Sequence, residues 1–165
     1  MSTPVLVAYA TKAGSTRDVA EAVARTLREH GLEAHVRPVA DVGTLAPYGA
    51  IVLGTALYMG RIHRDARRFL RRHHPQLAER PLAVFAMGPK TLADDEVASS
   101  RAQLDGALAA YPDVHVGRVA IFGGVVNPAR LRFPFNHMPA SDVRDWDAIR
   151  AWADDVAVAL IPVAT

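Results

Sequence analysis

The hydrophobic positions along the chain change period in a regular way. Val5-Leu6-Val7-Ala8 is a short apolar run rich in β-branched residues, and residues 4–10 read as a first strand. Val19, Ala20, Val23, Ala24 and Leu27 then recur at helical spacing. Residues 15–30 therefore read as an amphipathic helix, closed by His30-Gly31 with glycine in the C′ place. Residues 33–39 alternate, and Pro38 marks them as an edge strand. Residues 41–47 read as a connector with a short helical turn at most. Ala50-Ile51-Val52-Leu53-Gly54 is an uninterrupted apolar strand, the pattern of burial on both faces. Then come a helix over 63–77 with Ala66, Phe69 and Leu70 inward, a strand over 82–87 and a helix over 96–110. A fifth strand over 116–122 continues to Val126, and Asp145 caps a last helix over 146–160.

Strands alternating with helices predict an α/β domain: a five-stranded parallel sheet in the order 2-1-3-4-5, helices on both faces, and a ligand crevice beyond the C-terminal strand ends. At 165 residues, half of them hydrophobic, the expectation is one domain over 1–165. No cysteine is present, which excludes disulfides, thiolate metal sites and thiol catalysis. No apolar run approaches the roughly 20 residues of a membrane span, and the N-terminus lacks the pattern of a signal peptide. The expected location is the cytoplasm. Net charge is +2.

Chemistry concentrates in the turn after the first strand, Thr11-Lys12-Ala13-Gly14-Ser15-Thr16. A helix start offers unpaired N–H groups and a positive dipole end, so a turn there suits an anion. Thr11, Ser15 and Thr16 add hydroxyls, and Gly14 leaves room for a phosphate. The alternative is an ordinary turn in which Ser15 or Thr16 is an N-cap. Neither a dinucleotide fingerprint nor a P-loop occurs. Thr11, Gly14 and Thr16 do fill the T-x-x-G-x-T pattern, and the turn resembles the phosphate loop of the flavodoxins.

Two further loops meet the first at the same sheet edge. One is Gly54-Thr55-Ala56-Leu57-Tyr58-Met59-Gly60-Arg61, where Tyr58 or Met59 suits the face of a flavin ring and peptide groups suit its edge. The alternative for Tyr58 is packing against a helix. The other runs from Met87-Gly88-Pro89-Lys90 to Asp94-Asp95, where the acidic pair reads as a cap and dipole partner rather than a metal site. Arg61, Arg64, Arg67, Arg68, Arg71 and Arg72 form a cationic run with Asp65 as its one acid. It is either a solvated helix face or an anion-attracting wall for substrate carboxylates, a redox partner or anionic lipid. Without interleaved aromatics or a binding motif it does not read as a nucleic-acid surface. Residues 127–141 mix Arg130 and Arg132 with Phe133, Phe135 and Met138, either a cover for a flavin or a loop packed on itself. No Ser/His/Asp set or metal-spaced histidine cluster stands out, and no catalytic acid or base is singled out.

Over nearly its whole length the chain resembles the flavodoxin superfamily, and within it the menaquinone-dependent protoporphyrinogen dehydrogenases. The stretch from Gly54 to His63, followed by Phe69-Leu70-Arg71-Arg72-His73, carries the likeness, as do Asp145-Trp146 and Ala151-Trp152-Ala153. Met59 stands where that family has a tyrosine and Tyr58 where it has an arginine. Its long basic insertion after the fifth strand is reduced here to about residues 127–141. The resemblance implies a flavodoxin-like three-layer sandwich. It implies FMN with its phosphate on Thr11 to Thr16 and its ring between 56–61 and 87–92, and electron flow from protoporphyrinogen IX to a quinone. Partners would be a small-molecule substrate, a quinone or a redox protein, with peripheral membrane contact.

Overall fold

The computed structural model describes residues 3–11, 14–58, 61–88, 94–123, 125–126, 141–142 and 144–160. Strands β1 (Val5–Ala10), β2 (Ala34–Pro38), β3 (Ala50–Tyr58), β5 (Leu82–Met87) and β6 (Val116–Phe122) form a parallel sheet in the order β2-β1-β3-β5-β6. A short strand, β4 (Arg61–Ile62), folds back antiparallel on β3. Counting only the parallel strands, the order is the expected 2-1-3-4-5.

Every residue of β5 is buried, as its unbroken apolar sequence requires. One sheet face, with Val7, Val52 and Phe85, packs under α1 (Ser15–Glu29) and α4 (Trp146–Leu160). The other, with Leu6, Leu53 and Val84, packs under α2 (Arg64–Leu77) and α3 (Asp94–Leu108). The helices bury the stripes their spacing announces: Val19, Val23 and Leu27 from α1, and Ala66, Phe69 and Leu70 from α2. Gly31, at φ 86°, closes α1. Asp145 Oδ1 accepts from Ala148 N at 3.1 Å and caps α4.

Among the boundaries that differ from expectation, two shift through strand pairing and one through the helix dipole. β3 does not stop at Gly54; Thr55 and Ala56 continue the ladder because Ala10 and Met87 lie beside them as partners. α3 begins at Asp94 rather than Glu96, with Asp94, Asp95 and Glu96 all in the first turn, where the dipole favours acids. The fifth parallel strand does not run on to Val126. Its ladder partner β5 ends at Met87 opposite Phe122, and Val125–Val126 (β7) pairs antiparallel with Ser141–Asp142 (β8).

Candidate functional site

The ladder aligns Ala10 with Thr55 and Ala56 with Met87. The three chemistry-bearing segments therefore leave adjacent strands at one edge of the sheet.

In the first turn, Thr11 Oγ1 accepts from Gly14 N at 2.9 Å, closing the loop on itself. Gly14 is the N-cap of α1 at φ 90°, ψ −9°, a left-handed conformation that glycine adopts without a Cβ penalty. No side chain caps this helix. Neither Ser15 nor Thr16 takes the N-cap role of the bland alternative, because Gly14 occupies that place. Thr16 Oγ1 is fully buried and, among the described residues, has no hydrogen-bond partner. A buried hydroxyl left unpaired costs about 1–3 kcal/mol unless something completes it. It stands in the first turn beside the helix's unpaired N–H groups. Asp18, also in that turn, would oppose an anion, but Arg144 Nη1 donates to Asp18 Oδ2 at 3.1 Å and offsets its charge. Lys12 and Ala13 lie outside the described residues.

The second segment is a hairpin rather than an irregular loop. Leu57 pairs with Ile62 and Tyr58 with Arg61, because β3 has extended far enough to fold back on itself. At its base His63 N donates to Ala56 O at 2.9 Å and to Thr55 Oγ1 at 3.2 Å. His63 Nδ1 accepts from Asp65 N at 3.0 Å, which makes the imidazole the cap of α2 and leaves a neutral ring's proton on Nε2. The helical spacing makes His63 the first residue of α2, whereas the structure makes it the cap. The signal was a polar residue just before the apolar stripe of α2. Arg61 is exposed. Met59, Gly60 and the Tyr58 side chain lie outside the described residues.

In the third segment Met87 is buried and Gly88 N donates to Phe122 O at 3.2 Å. A Cβ at Gly88 would lie 2.9 Å from Leu57 Cδ1, so a side chain there would push the hairpin away. The missing side chain at Gly88 thus lets the second and third segments pack closely. Pro89 and Lys90 lie outside the described residues, as does the aromatic stretch 127–140. Among the described residues, no group of three or more His, Asp or Glu is placed to hold a metal ion. No described helix is long and apolar enough to cross a membrane.

The fold and this edge define an α/β sandwich with a phosphate-suited turn at its first strand–helix junction. The family model of the flavodoxin domain matches residues 6–138, and the chain belongs to that family. Protoporphyrinogen IX dehydrogenase (quinone) of Escherichia coli strain K12 is 27% identical over 84 residues, 50% of this chain and 46% of that protein. The match thus spans about half the length of the curated relative. Among solved structures, a flavodoxin mutant from Pseudomonas aeruginosa superposes with a TM-score of 0.64 at 20% identity, covering 96% of this chain and 99% of that one. Oxidised flavodoxin 1 from Bacillus cereus gives 0.64 at 17% identity, covering 97% and 100%. Rubredoxin oxygen:oxidoreductase of Desulfovibrio gigas gives 0.58 at 14% identity, covering 96% of this chain but 37% of that one.

A flavodoxin domain implies FMN. The first turn fits the phosphate of that cofactor. Gly14 opens the helix in a left-handed conformation, Thr16 has a buried hydroxyl with no partner among the described residues, and Arg144 pairs with Asp18, the acid of the first turn.

Proposed function

We propose that the protein is an FMN-dependent oxidoreductase that takes electrons from a small-molecule donor of the porphyrinogen type and delivers them to a quinone. The observation that carries the flavin part is the orphaned hydroxyl of Thr16 beneath the left-handed Gly14. The E. coli relative's name supports the donor and acceptor.

In this reading Thr16 Oγ1 and the first-turn N–H groups hold the phosphate. Thr11 can donate its own proton to the same group while accepting from Gly14 N. The hairpin, bonded at Ala56 by His63 N and packed close to Gly88 at Leu57, holds the peptide groups that would border the ring. Ala56, Leu57, Tyr58, Met59, Gly60 and Arg61 would form that border on one side, and Met87, Gly88, Pro89 and Lys90 on the other. Lys12, Ala13 and Ser15 would complete the phosphate turn. Bound FMN supplies the electron transfer itself; the protein positions it and tunes it through contacts at the ring edge.

The test has two stages. The absorption spectrum of the purified protein, with the released flavin identified, decides the cofactor. Turnover of protoporphyrinogen IX with menadione then decides the activity, and a rate no higher than that of free FMN rules the donor out. A second reading, an electron carrier with no substrate of its own, is favoured by the end-to-end match to short flavodoxins. A yellow protein that accepts electrons from a flavodoxin reductase without any quinone turnover selects it.

A further inference from the structure

The charges of this molecule are sorted by face. On the side of α1 and α4, among the described residues, four cations meet acids, although Arg25 does not: Arg118 with Asp155 at 2.8 Å, Arg150 with Glu29 at 2.6 Å, His30 with Asp154 at 2.8 Å and Arg144 with Asp18 at 3.1 Å. α2 is different. Arg64, Arg67, Arg68, Arg71 and Arg72 are exposed, and Asp65 is the helix's one carboxylate. Among the described residues, no ion pair reaches Arg67, Arg68, Arg71 or Arg72, and Arg64 meets Asp65 only at 4.0 Å. The whole chain balances to +2, so the rest of it is net acidic while α2 is strongly basic. Arg64 and Arg68, Arg67 and Arg71, and Arg68 and Arg72 stand one turn apart, a spacing at which like charges repel and weaken the helix. Such a face lowers stability unless an anion covers it.

The same face holds a receptor. Between α2 and the 3-10 turn Val39–Asp41 lies an open cleft of about 140 Å³. Its floor is apolar, from the buried Val39, Val42 and Phe69. Arg68 and Arg72 stand exposed at its rim, and Ala40 and Asp65 also line it. Asp65, 4.0 Å from Arg64 Nε, is the one carboxylate among the residues that line it. His73 lies buried at the base; burial, then the Arg72 charge, lower its pKa, so the floor stays neutral around pH 7.

We propose that the arginine face of α2 is a docking surface for an acidic segment of a partner protein, with one carboxylate side chain seated between Arg68 and Arg72 over Phe69. The charge selects an acidic occupant. The packing selects protein over membrane: Ala66, Phe69, Leu70 and Leu77 are all buried, so α2 presents no apolar side to insert into lipid. α2 begins where the β3–β4 hairpin ends, so its first turn lies beside the sheet edge from which the three segments leave. The inference stands on charge and shape and does not require the flavin reading.

The experiment uses the full chain and a fluorescent polyglutamate peptide, with binding read by anisotropy. Two neutralised variants are matched in charge: Arg68→Gln with Arg72→Gln on α2, and Arg118→Gln with Arg150→Gln on the opposite side. The expected result is binding at about 20 mM salt that weakens about tenfold or more at about 200 mM. The α2 variant should lose about tenfold, while the control loses about twofold or less. No binding at low salt, or equal losses in both variants, overturns the docking surface. Binding to phosphatidylglycerol vesicles in preference to the peptide, abolished by the α2 variant, overturns it in favour of a membrane. FMN retention, read separately from the flavin absorbance, reports on the cofactor site and leaves these outcomes unchanged.

Discussion

Gly54 stands opposite Phe85 in the ladder between β3 and β5, and the Phe85 ring lies directly over it. A Cβ at 54 would fall 2.6 and 2.7 Å from the two ring Cε atoms. The ring has nowhere to retreat, because Phe122 and Trp152 pack on it with centroids 5.9 and 5.8 Å away. Gly54→Ala is therefore expected to destabilise by about 1–3 kcal/mol through overpacking. At this chain length that lowers the thermal midpoint by about 3–10 °C, measurable by circular dichroism.

Thr16→Val keeps shape and branching while removing the orphaned hydroxyl. The cofactor-free protein should be as stable as the parent or slightly more so, since no hydrogen bond is lost. FMN affinity should fall by about 10–150-fold, the worth of a hydrogen bond to a charged group of about 1.5–3 kcal/mol. Titration of the released protein with FMN reads this directly. An unchanged dissociation constant would remove Thr16 from the phosphate site.

Gly14→Ala should damage the same turn by another route. A Cβ at φ 90° costs about 1–2 kcal/mol, so both thermal stability and FMN affinity should drop. Gly14→Asn should recover part of the loss, because asparagine tolerates that conformation better. Thr11→Val, which deletes the acceptor for Gly14 N, should weaken FMN binding with a smaller stability change. Equal stability of Gly14→Ala and Gly14→Asn would contradict the conformational argument.

His73 sets a pH dependence of known sign. Its folded-state pKa is lowered by burial first and by Arg72 second, below the ordinary value of 6.5. As pH falls through that ordinary value, the unfolded chain takes up a proton that the folded one does not, so stability falls. The contribution is full above the ordinary value and fades toward the depressed one. The urea midpoint should therefore drop more from neutral to mildly acidic pH in the parent than in His73→Gln. Identical slopes would show that His73 does not drive the effect.

Much of this architecture is written in local periodicity. The stripes at Val19, Val23 and Leu27 and at Ala66, Phe69 and Leu70, and the uniform run of β5, each read correctly because burial follows the repeat of one element. What escaped local reading depends on neighbours far along the chain. Thr55 to Tyr58 carry no strand alternation; they become strand only because Ala10, Met87 and Ile62 lie alongside. His73 was legible as the next position on the buried stripe of α2, but a histidine amid arginines invites an exposed reading. The T-x-x-G-x-T turn marks a candidate phosphate site, and the structure adds that Thr16 Oγ1 there has no partner among the described residues. That Gly14, and no hydroxyl, caps α1 is a matter of backbone angle that residue type alone does not specify.

β2 is the outermost strand beside β1, and it ends in Pro38. Proline has no amide hydrogen to lend to an approaching chain. Just before it, Arg37 folds its guanidinium onto Val36 O at 2.9 Å and stays solvent-facing. A foreign strand arriving at this margin meets a missing rung and a fixed positive charge. This margin of the sheet therefore carries its own stop against uncontrolled lateral growth.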